Sequence, residues 1–412
     1  MPPLGSPACL EGLRVLDLSR VLAGPWASQM LGDLGAEVIK IERPGAGDDT
    51  RGWGPPYLHD AEGAETSESA YFLCANRNKK SVTIDITHPE GRKLILKLAE
   101  SSDILIENFK VGGLQEYGLD YASMHALNPR LVYCSITGFG QTGPYSHRAG
   151  YDFLVQAMGG LMSVTGRADG QPGDGPQKVG VAITDILTGL YATVAILAAL
   201  THRTATGRGQ HIDMALLDSQ IAAMANLGSN YLLTGTSPVR LGNSHPSIVP
   251  YQDLPTADGA MIVAVGNDGQ FARMCVCLGH PQWATDPRFI SNRARVENRL
   301  ELIPSLQQAT MLRPTAEWVA MFEKVGVPCG PVNTLAEVFA DPHVQDRGVR
   351  IEMDHPLAGS VPLVGNPIRL SDAPVAYRLP PPMLGQHTRE VLADVLGLDP
   401  AAIQGLADAG VT

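Results

Sequence analysis

Positive charge is in short supply in this chain: 31 lysines and arginines face 42 aspartates and glutamates over 412 residues, a formal net charge of -11 with a pI near 5.4. That balance argues against a nucleic-acid partner or an anionic membrane surface, and any phosphate-bearing ligand must be held by local features. The opening MPPLGSPACLEGLRVLDLS has no basic region followed by an apolar core, and no segment reaches about 18 uninterrupted apolar residues. Neither a secretory leader nor a membrane span is expected, and the expected location is cytoplasmic. Cysteine is scarce: Cys9, Cys74, Cys134, Cys275, Cys277 and Cys329 are scattered, which reads as buried thiols rather than a disulfide framework. Cys275 and Cys277 fall two apart on a predicted helix and point to different faces, and the histidines show no HExxH or paired spacing, so no metal site is expected. The GxGxxG fingerprint is missing too. The turn after the first predicted strand reads SRVLAGPW, so a nicotinamide cofactor is disfavoured, although Glu42 ends the second strand where a ribose ligand could sit.

What is present is globular: hydrophobic residues make 44% and charged residues 18%, and the length suggests two or three domains. Residues 13–18 (LRVLDL) read as a buried strand, Pro25 suits the first turn of a helix that Gly35 stops, and residues 37–42 (EVIKIE) read as a second strand. A further βαβ unit follows at 81–86, a helix begun at Pro89, and 103–107; another strand-bearing stretch, 130–136, comes after a helix around 121–127. This alternation predicts an α/β fold with a doubly wound, Rossmann-like, mostly parallel sheet, whose ligands sit beyond the carboxyl ends of the strands. Asn108, Phe109 and the TGFG of 137–140 occupy such ends, and the helix amino end near Pro25 is expected to suit an anion. The long insert between Arg43 and Lys80 carries Trp53 and the basic cluster Arg77, Lys79 and Lys80, which suits a solvated face or a phosphate contact. Residues 234–247 are a Gly/Pro/Ser-rich break. Beyond it a strand at 259–265, a helix at 271–278, two charged helices within 292–325 and an extended return at 326–333 predict a smaller α/β domain. No internal repeat is visible.

The chain is organised around residues 165–200. Residues 166–180 hold five glycines and two prolines and make a loop, 179–183 alternate well enough for a short strand, and from Ile186 an apolar run without charge reaches Leu200. That run is long enough for a buried helix and short of a membrane span. Asp185 falls at the helix start, where it can cap free amides, and the amides and dipole favour its ionised form by roughly 0.3–1 kcal/mol. A cap is the ordinary use of the position. A carboxylate in a dry loop-to-helix junction also suits covalent chemistry on an acyl group.

Nine motifs in order, RVLDLSRVLAGPWASQMLGDLGAEVIKIERPGAGDDTRGW, NRNKKS, ENF, GYDFLVQAMGGLMSVTG, ITDILTGLYA, TGRGQ, VGND, GVPCGPVN and LGQHT, resemble those of class III CoA-transferases, the CaiB/BaiF-type family of formyl-CoA and carnitine CoA-transferases. RLGNSHPSIVPYQ and PPPMLGQHT resemble, within it, succinate–hydroxymethylglutarate (glutarate) CoA-transferases. The resemblance implies a CoA-transferase that moves CoA from an acyl-CoA such as succinyl-CoA to a small carboxylic or dicarboxylic acid. Asp185 would be the nucleophile, passing through an aspartyl-acyl anhydride and an aspartyl-CoA thioester. Coenzyme A, as substrate rather than prosthetic group, would be held by Val21, Leu22, Ala23, Arg43, Ile84, Asn108, Phe109, Tyr151 and Asp152, with Arg43 as phosphate partner. Glu116 and Thr87 stand where the family carries cations, so Arg148, Lys79 or Lys80 is expected to take over part of that contact. Trp53 matches an aromatic gate, or is a packed loop aromatic. Gly242 and Asn243 are the nearest match to the glycine loop that supplies oxyanion donors. The acceptor's second carboxylate would be read by Arg51, Arg240, His245 or Ser244, bidentate arginine being the natural choice.

The resemblance further implies an interlocked homodimer and a large discontinuous domain, 1–225 with 331–412, into which a small α/β domain, 226–330, is inserted. Two rival readings stand. An α-methylacyl-CoA racemase would place a histidine where Tyr151 stands and a glutamate where Asn267 stands, and tyrosine with a pKa of about 10 is a poor base at neutral pH. A non-catalytic acyl-CoA binding protein would keep the fold without the nucleophile's chemistry.

Overall fold

Val15 and Leu16 of the first strand, Ile39 of the second and Leu105 of the fourth have no exposed surface, the burial on both faces that goes with parallel pairing. The computed structural model describes residues 7–412; residues 1–6, the opening of the expected large domain, lie outside the described residues. Six strands, β1 (Arg14–Asp17), β2 (Glu37–Glu42), β3 (Lys79–Thr83), β4 (Ile104–Glu107), β5 (Val132–Thr137) and β6 (His211–Ala215), form one sheet in the order β3-β2-β1-β4-β5-β6. All its pairs are parallel. The winding reverses between β1 and β4, where a doubly wound sheet opens a crevice at the carboxyl ends.

Helices cover both faces of this sheet. On one face α1 (Ala23–Asp33) and α5 (Ile183–Thr206) share a core with Val15, Ile104, Leu31 and Ile196. On the other, α2 (Pro89–Glu100), α3 (Tyr121–Leu127) and the C-terminal helices Thr388–Asp394 and Pro400–Asp408 pack on Leu16, Ile39 and Leu105. Two shorter helices, α4 (Asp152–Met158) and α6 (Leu216–Ala223), flank α5. Gly189 sets the crossing of α1 and α5, because a Cβ there would lie 2.7 Å from the Ala23 carbonyl oxygen and 3.1 Å from Trp26 Cβ. The missing side chain lets the turn before α1 approach the helix that carries Asp185.

This sheet belongs to a unit formed by the chain up to Leu161, Val179–Thr234 and Gln345–Thr412; a second unit comprises Met162–Lys178 and Gly235–Val344. Within the second unit β7 (Tyr251–Pro255), β8 (Ala260–Ala264) and β9 (Cys329–Pro331) form an antiparallel sheet in the order β9-β8-β7, with Phe271, Trp318 and Phe322 in its core. Gly242 lies in this unit with φ +62. Residues 292–325 make three helices, Asn292–Glu297, Arg299–Thr310 and Thr315–Lys324, rather than two. The Asn298 amide closes the first of them on the Ala294 carbonyl.

Two expectations around Asp185 are corrected. Residues 179–182 form no strand, because their polar groups go elsewhere: the Val179 amide donates to Gln156 Oε1 at 2.9 Å. The apolar run makes a helix of 24 residues, long and apolar enough by length and composition to cross a membrane, yet Ala192, Ile196, Ala199 and Leu200 are buried in the sheet's own core.

Candidate active site

Asp185 is the third residue of α5, and the start of that helix is not capped by Asp185 itself. Asp152, at the start of α4, accepts the Thr184 amide at 2.8 Å and the Asp185 amide at 3.3 Å with one oxygen, while its other oxygen takes Gln156 Nε2 at 2.6 Å. Gln220 on α6 accepts the Thr184 hydroxyl at 2.6 Å. The Asp185 side chain is left 8% exposed, with no hydrogen bond to its carboxylate among the described residues. Burial, then the charge of Asp152, pushes the Asp185 carboxyl up to about 7. This reverses the expectation that helix amides would favour its ionised form, because Asp152 has taken those amides and its negative charge repels a second one. Asp152 is therefore a cap for the nucleophile's helix, and it does not line the cavity described next.

Asp185 opens onto a cavity of about 180 Å³ lined also by Val21, Leu22, Ala23, Asn108, Phe109 and Tyr151. A neighbouring cavity of about 410 Å³ is lined by Arg43, Ile84, Thr87, Phe109 and Tyr117. Arg20, Asp49, Phe109 and Lys110 border both. All the expected coenzyme residues except Asp152 thus fall on two adjoining cavities at the carboxyl ends of β1, β2, β3 and β4. Val21 has φ +72, a conformation that a β-branched residue adopts only when its surroundings dictate it. The surroundings do so: the Val21 amide donates to Asp48 Oδ1 at 3.2 Å, and Asn108 Oδ1 accepts the Arg20 amide at 2.9 Å while its Nδ2 donates to the Arg20 carbonyl at 2.7 Å. Asn108 therefore clasps the turn with its side chain. Gly138 and Gly150 also border the Asp185 cavity, and their backbones touch so closely that a Cβ on Gly150 would lie 2.3 Å from Gly138 Cα.

Several cation assignments are corrected. Arg77 is buried on Asp33 at 2.6 Å and Lys79 on Asp17 at 3.3 Å, while Lys80 bridges Glu37 and Glu390 at 3.0 and 2.8 Å, so none of these three is a phosphate ligand. Burial pulls the Lys79 ammonium below its usual value, against Asp17. Arg51, expected as a carboxylate reader, is buried with two bonds to Glu42, one to Glu68 at 2.9 Å and its guanidinium 3.7 Å from the Phe72 ring centre. Lys40 is likewise committed to Asp48 at 2.9 Å. Arg240 pairs with Asp169, and the Ser244 hydroxyl donates to Gln252 at 3.1 Å; with His245 they belong to the second unit. Glu116 is outside both cavities, whereas Thr87 lines the larger one with its hydroxyl on Asp85 at 2.7 Å. Asn267 caps the helix Asp268–Cys277 by accepting the Gln270 amide, a structural use that leaves the racemase reading without its second base.

The cations left to the two cavities are Arg43, Lys110 and Arg148, none in an ion pair among the described residues. Arg148 lies 4.6 Å from the Tyr145 ring centre and 5.1 Å from that of Phe139. Lys110 and Arg20 were missed in the sequence, though each adjoins a residue that the motifs did mark. Tyr71 was missed as well: burial, then the charge of Asp185, pushes its phenol up to about 12, so it stays protonated near the carboxylate, and its ring meets Trp53 edge-on at 5.3 Å. Trp53 is 45% exposed and lines neither cavity. Among the described residues no group of three potential metal ligands occurs.

A sequence profile described as CoA-transferase family III matches residues 10–388. The chain is 51% identical over 386 residues to a succinate–glutarate CoA-transferase of Agrobacterium fabrum, covering 94% of this chain and 95% of the relative. It is 47% identical to a mouse succinyl-CoA:glutarate CoA-transferase, covering 98% of this chain and 90% of the relative. The crystal structure of a CaiB/BaiF family protein from Brucella suis superposes with a TM-score of 0.83 at 50% identity, covering 95% of this chain and all of the other.

Proposed function

Since the chain belongs to CoA-transferase family III, we propose that it carries coenzyme A from succinyl-CoA to glutarate through covalent intermediates on Asp185. The two acids are those named for the bacterial and mouse relatives. The observation that carries the chemistry is the Asp185 carboxyl itself, nearly buried, without a hydrogen bond among the described residues and opening onto the cavity; burial and the charge of Asp152 push it up to about 7. A carboxylate kept weakly solvated is a stronger nucleophile than one in water.

The Asp185 carboxylate attacks the thioester carbonyl carbon and the C–S bond breaks, leaving a succinyl-aspartyl anhydride and CoA thiolate. The thiolate attacks the aspartyl carbonyl, releasing succinate and leaving an aspartyl-CoA thioester. The glutarate carboxylate then attacks the aspartyl carbonyl and the C–S bond breaks, leaving a glutaryl-aspartyl anhydride, and the CoA thiolate attacks its glutaryl carbonyl to give glutaryl-CoA and free the Asp185 carboxylate. Water would hydrolyse either intermediate, so the reaction needs the closed surroundings that burial of Asp185 provides. Arg43 and Lys110, on the larger cavity and in no ion pair among the described residues, suit the coenzyme's phosphates, and the narrow Asp185 cavity suits its thiol arm.

The same reading includes a homodimer. Tyr151, Phe153, Tyr191, Val194, Leu232 and Leu233 of the first unit are exposed, apolar side chains that a second copy of the chain would cover.

Turnover with succinyl-CoA followed by hydroxylamine is expected to convert Asp185 to its hydroxamate, located by peptide mass spectrometry. An unmodified Asp185 in protein that is turning over would overturn the mechanism. Asp185→Asn is expected to lower kcat by at least ~10³-fold while still binding coenzyme A.

A further inference from the structure

A third cavity, of about 360 Å³, lies against the turn that borders the other two, and the transfer chemistry leaves it unused. β4 ends in Glu107, 5% exposed, which faces Ser135 in the parallel register with β5. One Glu107 oxygen accepts the Phe109 amide at 2.8 Å, and Ser135, its register partner, stands near enough to favour the ionised carboxyl. Ser135 Oγ is in turn 2.9 Å from His211 Nε2 on β6, and the His211 ring stacks on Tyr121 of α3 at 4.6 Å. The hydroxyl stands between acid and imidazole, which is not the order of a hydrolytic triad. It is a row in which the placement of a proton at one end sets donor and acceptor at the other.

No cation pairs with Glu107 among the described residues. From β5 it meets Tyr133 and Cys134, both pushed up by burial and then by Glu107 itself. From β6 His211 lines the same cavity, held below its usual value by burial against Asp213. Asp120, before α3, and Lys110, on its own turn, line the same cavity, Lys110 without an ion pair among the described residues. Burial pushes the Glu107 carboxyl up to about 7, against the Ser135 and Phe109 donors. Protonated, it has a hydrogen to offer on the Ser135 side, while its other oxygen keeps the Phe109 amide.

The turn it holds is the shared wall, since Phe109 and Lys110 border all three cavities. We infer that Glu107 couples coenzyme A binding to proton uptake: a polyanion on the far side of the Phe109 wall favours the protonated carboxyl, and Glu107 positions that wall in either state. Charges separated by packed protein are screened far less than charges in water. The inference rests on the coenzyme site proposed above.

Calorimetry of coenzyme A binding near pH 7, in buffers of different ionisation enthalpy, counts the protons exchanged. An Asp185→Asn background silences the other carboxyl that titrates there. In that background the chain is expected to take up more protons than its Glu107→Gln derivative, by a sizeable fraction of one proton near pH 7, with the difference fading within about two units on either side. Ser135→Ala removes a donor to the carboxylate while keeping the acid, so it should move this window upward; it is the second test should E107Q fail to fold. Equal proton uptake with and without Glu107, or an unmoved window in S135A, overturns the coupling. Failure of coenzyme A to bind at all would sink the site reading along with it.

Discussion

Burial and the neighbouring Asp152 together push the Asp185 carboxyl to about 7, and the ionised form is the one that attacks. kcat/KM is therefore expected to rise with pH through about 7 and level off above it. In Asp152→Asn the repelling charge is gone while an amide oxygen can still cap Thr184, so the midpoint should move to lower pH; an unmoved midpoint in the pH–rate profile would contradict this assignment. The same shift has a stability sign. The folded state holds the Asp185 proton more tightly than the unfolded state does, so above about 7 the buried carboxylate destabilises the fold, and the penalty fades as pH falls toward 3.8. Asp185→Asn should accordingly be more stable than the parent at pH 8, by at most about 4 kcal/mol in denaturant unfolding, with the advantage shrinking in acid. The place of Asp185 in the first turn of a long apolar helix was legible in the sequence, because a lone acid before an apolar run is a local pattern, whereas its role as nucleophile came from the family resemblance. The use of Asp152 was not legible, since the amides it caps lie more than thirty residues on. Arg51 misled for a similar reason, as its Glu42 and Glu68 partners come together only in the fold.

Helix α5 is where an element's placement decides the chemistry. Gly189→Ala would press a methyl group against the Ala23 carbonyl at 2.7 Å, and a backbone oxygen cannot swing aside as a side chain can. The expected result is a loss of about 1–3 kcal/mol, with kcat reduced because the Val21–Ala23 turn and Asp185 move apart; wild-type kcat in a stably folded G189A would refute that coupling. The elements of the sheet were largely readable, since strands buried on both faces are short apolar runs: 37–42 was placed to the residue as β2. The strand expected at 179–183 failed because alternation in a loop resembles a strand until its hydrogen-bond partners, here Gln156, are known. The third helix within 292–325 was hidden because Asn298 interrupts an amphipathic pattern without a proline or glycine to mark it.

At the scale of the molecule each unit carries its own interior. The second is fastened by Arg295, fully buried, which donates to the Val249 carbonyl at 2.7 Å, the Phe289 carbonyl at 3.0 Å and Asp268 at 2.8 Å. Arg295→Leu should cost this unit about 3 kcal/mol or more, since two buried carbonyls lose their donor; denaturant unfolding measures it, and a midpoint within error of the parent would contradict it. The α/β alternation was legible from composition and periodicity, whereas which ionic groups are interior was not, because charge reads as surface until the fold is known. Beneath the coenzyme-side turns, Lys40 with Asp48 and Lys79 with Asp17 form such an interior, every member with no more than 1% exposure. A random library drawn over these four positions would yield few folded clones, because removing one partner strands its mate in a dry setting. Laboratory evolution toward other acids therefore has to find its freedom elsewhere in the chain, and inherits this ionic floor unchanged.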